Sequence, residues 1–189
     1  MILDNQNRFV ICTPCKTGTM SLEATLRTRH PIAEQWGGRH NYIYTGEGER
    51  IMIVRHPWDR WWSMFHFIQK HIGRSCYFQE YAHDVNVFAE IWAERCELQE
   101  NHWWFYTQAF MAHHFRPDIV FKLEDDLEKV LDHLRAKYDP NIPRVSKTNV
   151  NHHKREGQTL TDENIELVLK HWVEPDCERF GYETPDILR

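Results

Sequence analysis

Three short apolar runs, each leading through a loop into a helix-forming stretch, restrict this chain to one class of architecture. Arg8-Phe9-Val10-Ile11-Cys12, Ile51-Met52-Ile53-Val54 and Ile119-Val120-Phe121-Lys122-Leu123 are too brief for helices. Thr13-Pro14, Arg55-His56-Pro57 and Pro117-Asp118 bound them, so they read as buried strands. Met20 to Arg29 follows the first as a helix, with Leu22 and Leu26 one turn apart. Pro57 starts the helix after the second, which runs through Trp61, Phe65 and Ile68. After the third, Leu127, Val130, Leu131 and Leu134 recur at helical spacing behind Glu124, Asp125 and Asp126, which suit a helix's first turn. Val85 to Leu98 and Asn101 to His114 read as further helices. Thr161 can cap a last one, with Asp162 and Glu163 in its first turn. A short strand is expected at Asn41 to Tyr44, after the Gly37-Gly38 break, and a long surface loop from Asp139 to Thr159, which holds two prolines and no periodicity. Such alternation predicts an α/β fold, a mainly parallel sheet flanked by helices. With 189 residues, no repeat and no linker, one domain over residues 1–189 is expected.

Composition narrows the function. Lys and Arg number 23 against 28 Asp and Glu, a net charge of −5, which argues against a nucleic-acid partner. Any anionic ligand must therefore be held by a local arrangement. A mean hydropathy of −0.67 excludes a membrane-embedded chain. No segment approaches the roughly 18 apolar residues of a membrane span, and the opening residues lack a signal peptide's basic and apolar regions. A soluble, cytoplasmic protein is the expectation. Five scattered cysteines do not make a disulfide framework, which suits a reducing compartment. The tryptophans at 58, 61, 62, 103 and 104 read as core filling with hydrogen-bonded indoles, or alternatively as a stacking wall for a flat or sugar-like ligand.

Two segments carry chemistry. The first strand enters Thr13-Pro14-Cys15-Lys16-Thr17-Gly18-Thr19-Met20-Ser21 and then a helix, which is an anion cradle. Gly18 permits a tight turn, first-turn N–H groups lack internal partners, and the helix dipole favours negative charge. Lys16 adds a full charge, and Thr17, Thr19 and Ser21 supply hydroxyls. No glycine stands five residues before a Gly-Lys pair, so this is not a Walker A loop, and a purine-nucleotide kinase or GTPase is disfavoured. The second segment, Arg55-His56-Pro57-Trp58-Asp59-Arg60-Trp61-Trp62-Ser63, puts an arginine at a strand's carboxyl end, where α/β sheets bind ligands. Ser63 lies about two turns into the following helix.

Lys16-Thr17-Gly18-Thr19-Met20-Ser21-Leu22 closely resembles the loop with which sulfotransferases hold the 5′-phosphosulfate of 3′-phosphoadenosine 5′-phosphosulfate (PAPS). Val54 to Ser63 is similar to their Arg-x-Pro-x-x-Arg-x-x-Ser segment, whose arginine and serine bind the 3′-phosphate. The variant resembled is that of Golgi-type carbohydrate sulfotransferases and their bacterial relatives. Val120 to Asp125 and the run ending Asp176-Cys177-Glu178-Arg179-Phe180-Gly181-Tyr182 are similar to later family segments. Cys15 stands where the family usually has proline. The resemblance implies a P-loop-like nucleotide-binding fold and in-line sulfuryl transfer from PAPS to an acceptor hydroxyl of a carbohydrate or small molecule, without a metal. It implies donor binding by Lys16, Thr17, Gly18, Thr19, Met20, Ser21, Arg55 and Ser63, with Lys16 at the bridging oxygen. Family members commonly place a catalytic His or Glu between the two motifs. His40 is the candidate base, with Glu34 and His66 as substitutes. Residues 141–160 carry a net +3, and Lys154 and Arg155 are expected to contact the anionic donor or the acceptor.

Two other readings compete with sulfuryl transfer. Cys12-Thr13-Pro14-Cys15 resembles a thioredoxin-type motif and would make the chain an oxidoreductase. A non-catalytic nucleotide-binding module is the other. The pairs His113-His114 and His152-His153 suggest metal only weakly, because adjacent helical residues do not share a face.

Overall fold

A computed structural model of the chain describes residues 1–28, 30, 32–33, 42–70, 81–97, 106–125, 127–145 and 158–187. They fall into two compact units: Met1–Arg55 with Phe110–Asn151, and His56–Ala109 with His152–Arg189. The strands are β1 (Ile2–Asp4), β2 (Phe9–Cys12), β3 (Ile32–Ala33), β4 (Glu49–Val54) and β5 (Ile119–Lys122). The helices are α1 (Thr19–Arg27), α2 (Pro57–Lys70), α3 (Val85–Glu97), α4 (Gln108–Phe115), α5 (Leu127–Lys137), α6 (Asp162–Val168) and α7 (Glu174–Phe180). No helix among the described residues is long and apolar enough to cross a membrane.

The five strands of the described residues belong to the first unit and form one sheet in the order β3-β1-β2-β4-β5. β2, β4 and β5 are the three strands expected from the sequence, and they pair in parallel, with Cys12 opposite Met52 and Val54 opposite Lys122. β1 pairs antiparallel with both β2 and β3, so it alone opposes the common direction. One face of the sheet presents Phe9, Ile11, Ile51 and Ile53 to Leu22 and Leu26 of α1 and to Leu127, Val130, Leu131 and Leu134 of α5. That interlocking set is the first unit's core. Each fully buried apolar side chain in it contributes about 1.5–3 kcal/mol.

The sequence reading needs correction at several places. Residues 42–44 are not a strand. Tyr42 instead packs edge-on against Phe110, at 5.8 Å between ring centroids, and Tyr44 donates to the Glu47 carbonyl, so side-chain contacts replace a ladder. Glu124 and Asp125 lie in a 3₁₀ turn, Leu123–Asp125, ahead of α5 rather than in its first turn. Of the helix expected from Asn101, only Gln108 onward is observed as helix, with 101–105 outside the described residues.

Among the described residues, the regular elements of the second unit are helices. Pro57 opens α2 as expected, since a missing N–H costs nothing at a first helical position. Trp61 stacks on Phe65 and meets Phe88 of α3 edge-on, and Trp92 of α3 meets Trp172 in the same way. Trp58, Trp61 and Trp62 are buried, which settles them as core. Their indoles are not all hydrogen-bonded, however, because Trp61 Nε1 has no partner. Thr161 caps α6 by accepting from the Asn164 N–H. Between α6 and α7 the helix widens into a π-helical turn, Leu169–Val173. Pro175 accounts for it: a proline there has no N–H for the carbonyl four residues earlier and its ring crowds that turn.

Candidate functional site

Because β2 and β4 run parallel, the loop after β2 and Arg55 after β4 leave the sheet at the same carboxyl edge. The loop is folded by two left-handed residues within three positions, Lys16 at φ 68° and Gly18 at φ 80°. A left-handed non-glycine residue costs about 1–2 kcal/mol, so Lys16 must be held. Thr17 holds it from below. Its hydroxyl donates to the Pro14 carbonyl at 2.5 Å and its N–H reaches the same oxygen at 3.3 Å. From the side, Arg55 Nη1 donates to the Lys16 carbonyl at 3.3 Å. Arg55 and Lys16, far apart in sequence, thus meet directly.

Gly18 is the N-cap of α1 and supplies no side-chain cap. A Cβ there would lie 3.0 Å from Leu123 Cδ1, a tight contact to which Leu123 would have to yield, and would also meet left-handed strain. α1 carries no acidic residue in its first turn, which leaves the positive end of its dipole uncompensated from within the helix. Thr19, the first helical residue, has its hydroxyl buried with no hydrogen-bond partner. Met20 is exposed and Ser21 half-exposed, so the helix mouth opens outward at these positions.

Other sequence-predicted residues fall elsewhere. Ser63 lies partly exposed on α2, in the second unit. His66, also on α2, stacks on Trp62 at 5.6 Å and packs against Phe65, as part of the aromatic row. His40, Glu34, Lys154 and Arg155 lie outside the described residues. Cys12 and Cys15 are both buried and unbridged, an environment opposite to the accessible thiolate that redox exchange needs.

Arg60 received no role from the sequence, yet it is the most tightly engaged cation of α2. It is fully buried. Its guanidinium lies 4.4 Å over the Trp172 ring, donates to the Tyr106 carbonyl at 3.3 Å, and stands 4.0 Å from the Asp176 carboxylate. Asp176, itself fully buried, also accepts from the Ala109 N–H at 2.6 Å and Gln108 Nε2 at 2.9 Å. Burial pushes the Asp176 carboxyl above the usual range, against the pull of Arg60 and these donors. The signal was present: an arginine between tryptophans on an apolar helix must be buried, and a buried charge requires a partner.

The sequence model of the Sulfotransferase family matches residues 1–183. No curated protein and no solved structure matches the chain.

Proposed function

The chain belongs to the sulfotransferase family, and from that premise we propose that it transfers a sulfuryl group from PAPS to an acceptor hydroxyl, on a carbohydrate or a small molecule. One observation carries the donor assignment: the Arg55 guanidinium reaches the carbonyl of left-handed Lys16, at the sheet edge where the loop after β2 leaves. The loop's chemistry fits such a donor. Thr19 Oγ1 is buried and unsatisfied, Gly18 takes a left-handed turn that disfavours any side chain, and no carboxylate occupies the first turn of α1.

PAPS would supply an activated sulfuryl group on a phosphate leaving group. The first-turn amides of α1 and the Thr19 and Ser21 hydroxyls would bind the 5′ end, while Thr17 keeps the loop in shape. Lys16 would neutralise charge growing on the bridging oxygen as the sulfur–oxygen bond breaks, where electrostatics and positioning dominate. His40 would take the acceptor's proton as the acceptor oxygen bonds to sulfur. Arg55 would hold the 3′-phosphate, a group for which the family resemblance also names Ser63, and Met20 would line the mouth. Lys154 and Arg155, in a segment of net positive charge, would contact the anionic donor or acceptor.

The test is a thermal-shift comparison of adenosine 3′,5′-bisphosphate (PAP), adenosine 5′-phosphate, ATP and GTP. A ligand at 100 times its dissociation constant stabilises the native state by about 2.7 kcal/mol. PAP should raise the melting temperature most. A profile in which GTP or ATP exceeds PAP removes the donor assignment.

A further inference from the structure

One peptide unit in the loop after β2 is pinned at both ends. The bond joining Lys16 to Thr17 is planar, so the Lys16 carbonyl and the Thr17 N–H turn together. The N–H end donates to the Pro14 carbonyl at 3.3 Å, and the carbonyl end accepts from Arg55 Nη1 at 3.3 Å. All four residues belong to the first unit. Lys16 sits at φ 68°, a left-handed conformation that persists in a residue with a side chain only where its surroundings enforce it.

The two anchors differ in kind. Thr17 is fully buried, and its hydroxyl adds a second bond to the Pro14 carbonyl, so that end is fixed by the loop itself. The other end depends on a half-buried arginine. Its contact stands just outside the usual range of about 2.7–3.2 Å, and a long side chain must give up rotamer freedom to keep it. A guanidinium carries five N–H groups in a rigid fork. An anion docked on one edge of that fork therefore fixes the plane that serves the carbonyl on another.

We infer that Arg55 is a positioning residue for Lys16 as well as a phosphate ligand. The donor's 3′-phosphate fixes the guanidinium, the guanidinium fixes the Lys16–Thr17 peptide, and the peptide aims the Lys16 ammonium at the bridging oxygen. This rests on the proposed donor, in which Arg55 holds the 3′-phosphate. That phosphate lies away from the bond that breaks, yet it speeds the breakage, because binding energy from a remote group goes into orientation at the reacting centre. A misplacement of 1 Å there costs about a hundredfold in rate.

Two measurements test this, and the first needs no turnover. Exchange of the Thr17 amide is followed by NMR with saturating PAP or adenosine 5′-phosphate, which differ only in the 3′-phosphate. In the wild type, PAP should slow exchange about tenfold more than adenosine 5′-phosphate does. Arg55→Lys keeps a cation for the phosphate but lacks the fork. It should still bind PAP more tightly than adenosine 5′-phosphate, while the two ligands protect Thr17 equally.

The second measurement is sulfate release to water from saturating PAPS or adenosine 5′-phosphosulfate. The bond from sulfur to the bridging oxygen breaks with its electron pair left on the nucleotide. Water's oxygen bonds to sulfur, and its protons pass to solvent. PAPS should react about tenfold faster than adenosine 5′-phosphosulfate in the wild type, and no faster in Lys16→Ala, which has no ammonium to aim. Adding Arg55→Ala to Lys16→Ala should slow the PAPS reaction no further, since both remove the same effect.

Equal protection of Thr17 by the two ligands, in a wild type that binds PAP more tightly, overturns the inference and leaves the donor reading intact. So does a PAPS rate advantage that survives in Lys16→Ala, because the 3′-phosphate would then act by another route. A wild type that binds PAP and adenosine 5′-phosphate equally overturns the donor reading, and this inference with it.

Discussion

Arg55 and Arg60 stand five residues apart, yet they serve two opposite kinds of region. Arg55 lies half-buried at the carboxyl edge of the first unit's sheet, where its guanidinium donates to the Lys16 carbonyl. Arg60 lies in the dry interior of the second unit, against a carboxylate and an indole face. At the edge a guanidinium remains wet enough to exchange water for a ligand's phosphate. In the interior it has no such freedom, and its removal strands Asp176. The edge should thus govern chemistry and the interior should govern shape.

The largest expected effect belongs to the proposed base. His40→Gln, which cannot take a proton, should lower turnover by about 10²–10⁴-fold while PAP binding stays near wild type. Wild-type kcat should rise with pH as the base loses its proton. A His40→Gln enzyme with near-wild-type kcat and the same pH profile would make Glu34 the next residue to substitute. The interior should respond in the other currency. Arg60→Ala leaves Asp176 buried without its cation and should cost about 3–5 kcal/mol of stability, read as a fall in denaturant midpoint. A smaller loss than about 1 kcal/mol would mean that the carboxylate is satisfied by Ala109 and Gln108 alone.

Lys16→Ala comes next, at about 10²–10³-fold in turnover, by the scale of deleted oxyanion donors. Its melting temperature should barely move, because alanine inherits the same left-handed backbone and Thr17 still ties the loop to Pro14. Comparable losses of stability and turnover would erase the distinction between the two regions.

The smallest effect is predicted at the opposite edge of the first unit's sheet. Burial pushes the Asp4 carboxyl up, but the Arg8 side-chain and backbone hydrogen bonds and the His30 contact outweigh it and hold it below the ordinary carboxylate value. A carboxylate lowered in the folded state contributes its full stability above the unfolded value, near 4, and loses it as pH falls through and below that value. Asp4→Asn should cost about 1–3 kcal/mol at neutral pH and flatten the acid limb of stability between about pH 5 and 3. Donor preference should not change. An acid limb as steep as the wild type's would shift the acid sensitivity to Glu49, Asp118 or Asp139, which are lowered in the same direction.

Which features were legible follows from how local their causes are. β2, β4 and β5 could be read because each is a run of four or more residues that are mostly apolar. β1 and β3, at three and two residues, fall below any periodic signal and exist because neighbours pair with them. The tight turn from β2 into α1 was legible because lysine, glycine and helix start lie within a few residues, and the meeting of Arg55 with Lys16 followed from parallel strands sharing an edge. The left-handed Lys16 and the inward-turned Thr17 hydroxyl were not, since both answer to bonds within the folded loop. Arg60 and Asp176 were each visible in quoted motifs, but 116 positions separate them, and no local pattern joins them. Pro175 was a local cue to the π-helical turn that went unread.

The most direct test of the central claim is calorimetric titration of the wild-type protein and of Arg55→Ala with PAP and with adenosine 5′-phosphate. Arg55 is assigned to the one group by which these ligands differ. The wild type should bind PAP at least about tenfold more tightly, and Arg55→Ala should bring the two affinities together by weakening PAP alone, as loss of a charge-assisted contact requires. If Arg55→Ala weakens both ligands equally, or leaves the wild-type preference intact, Arg55 does not hold the 3′-phosphate and the sheet edge is not the donor site described.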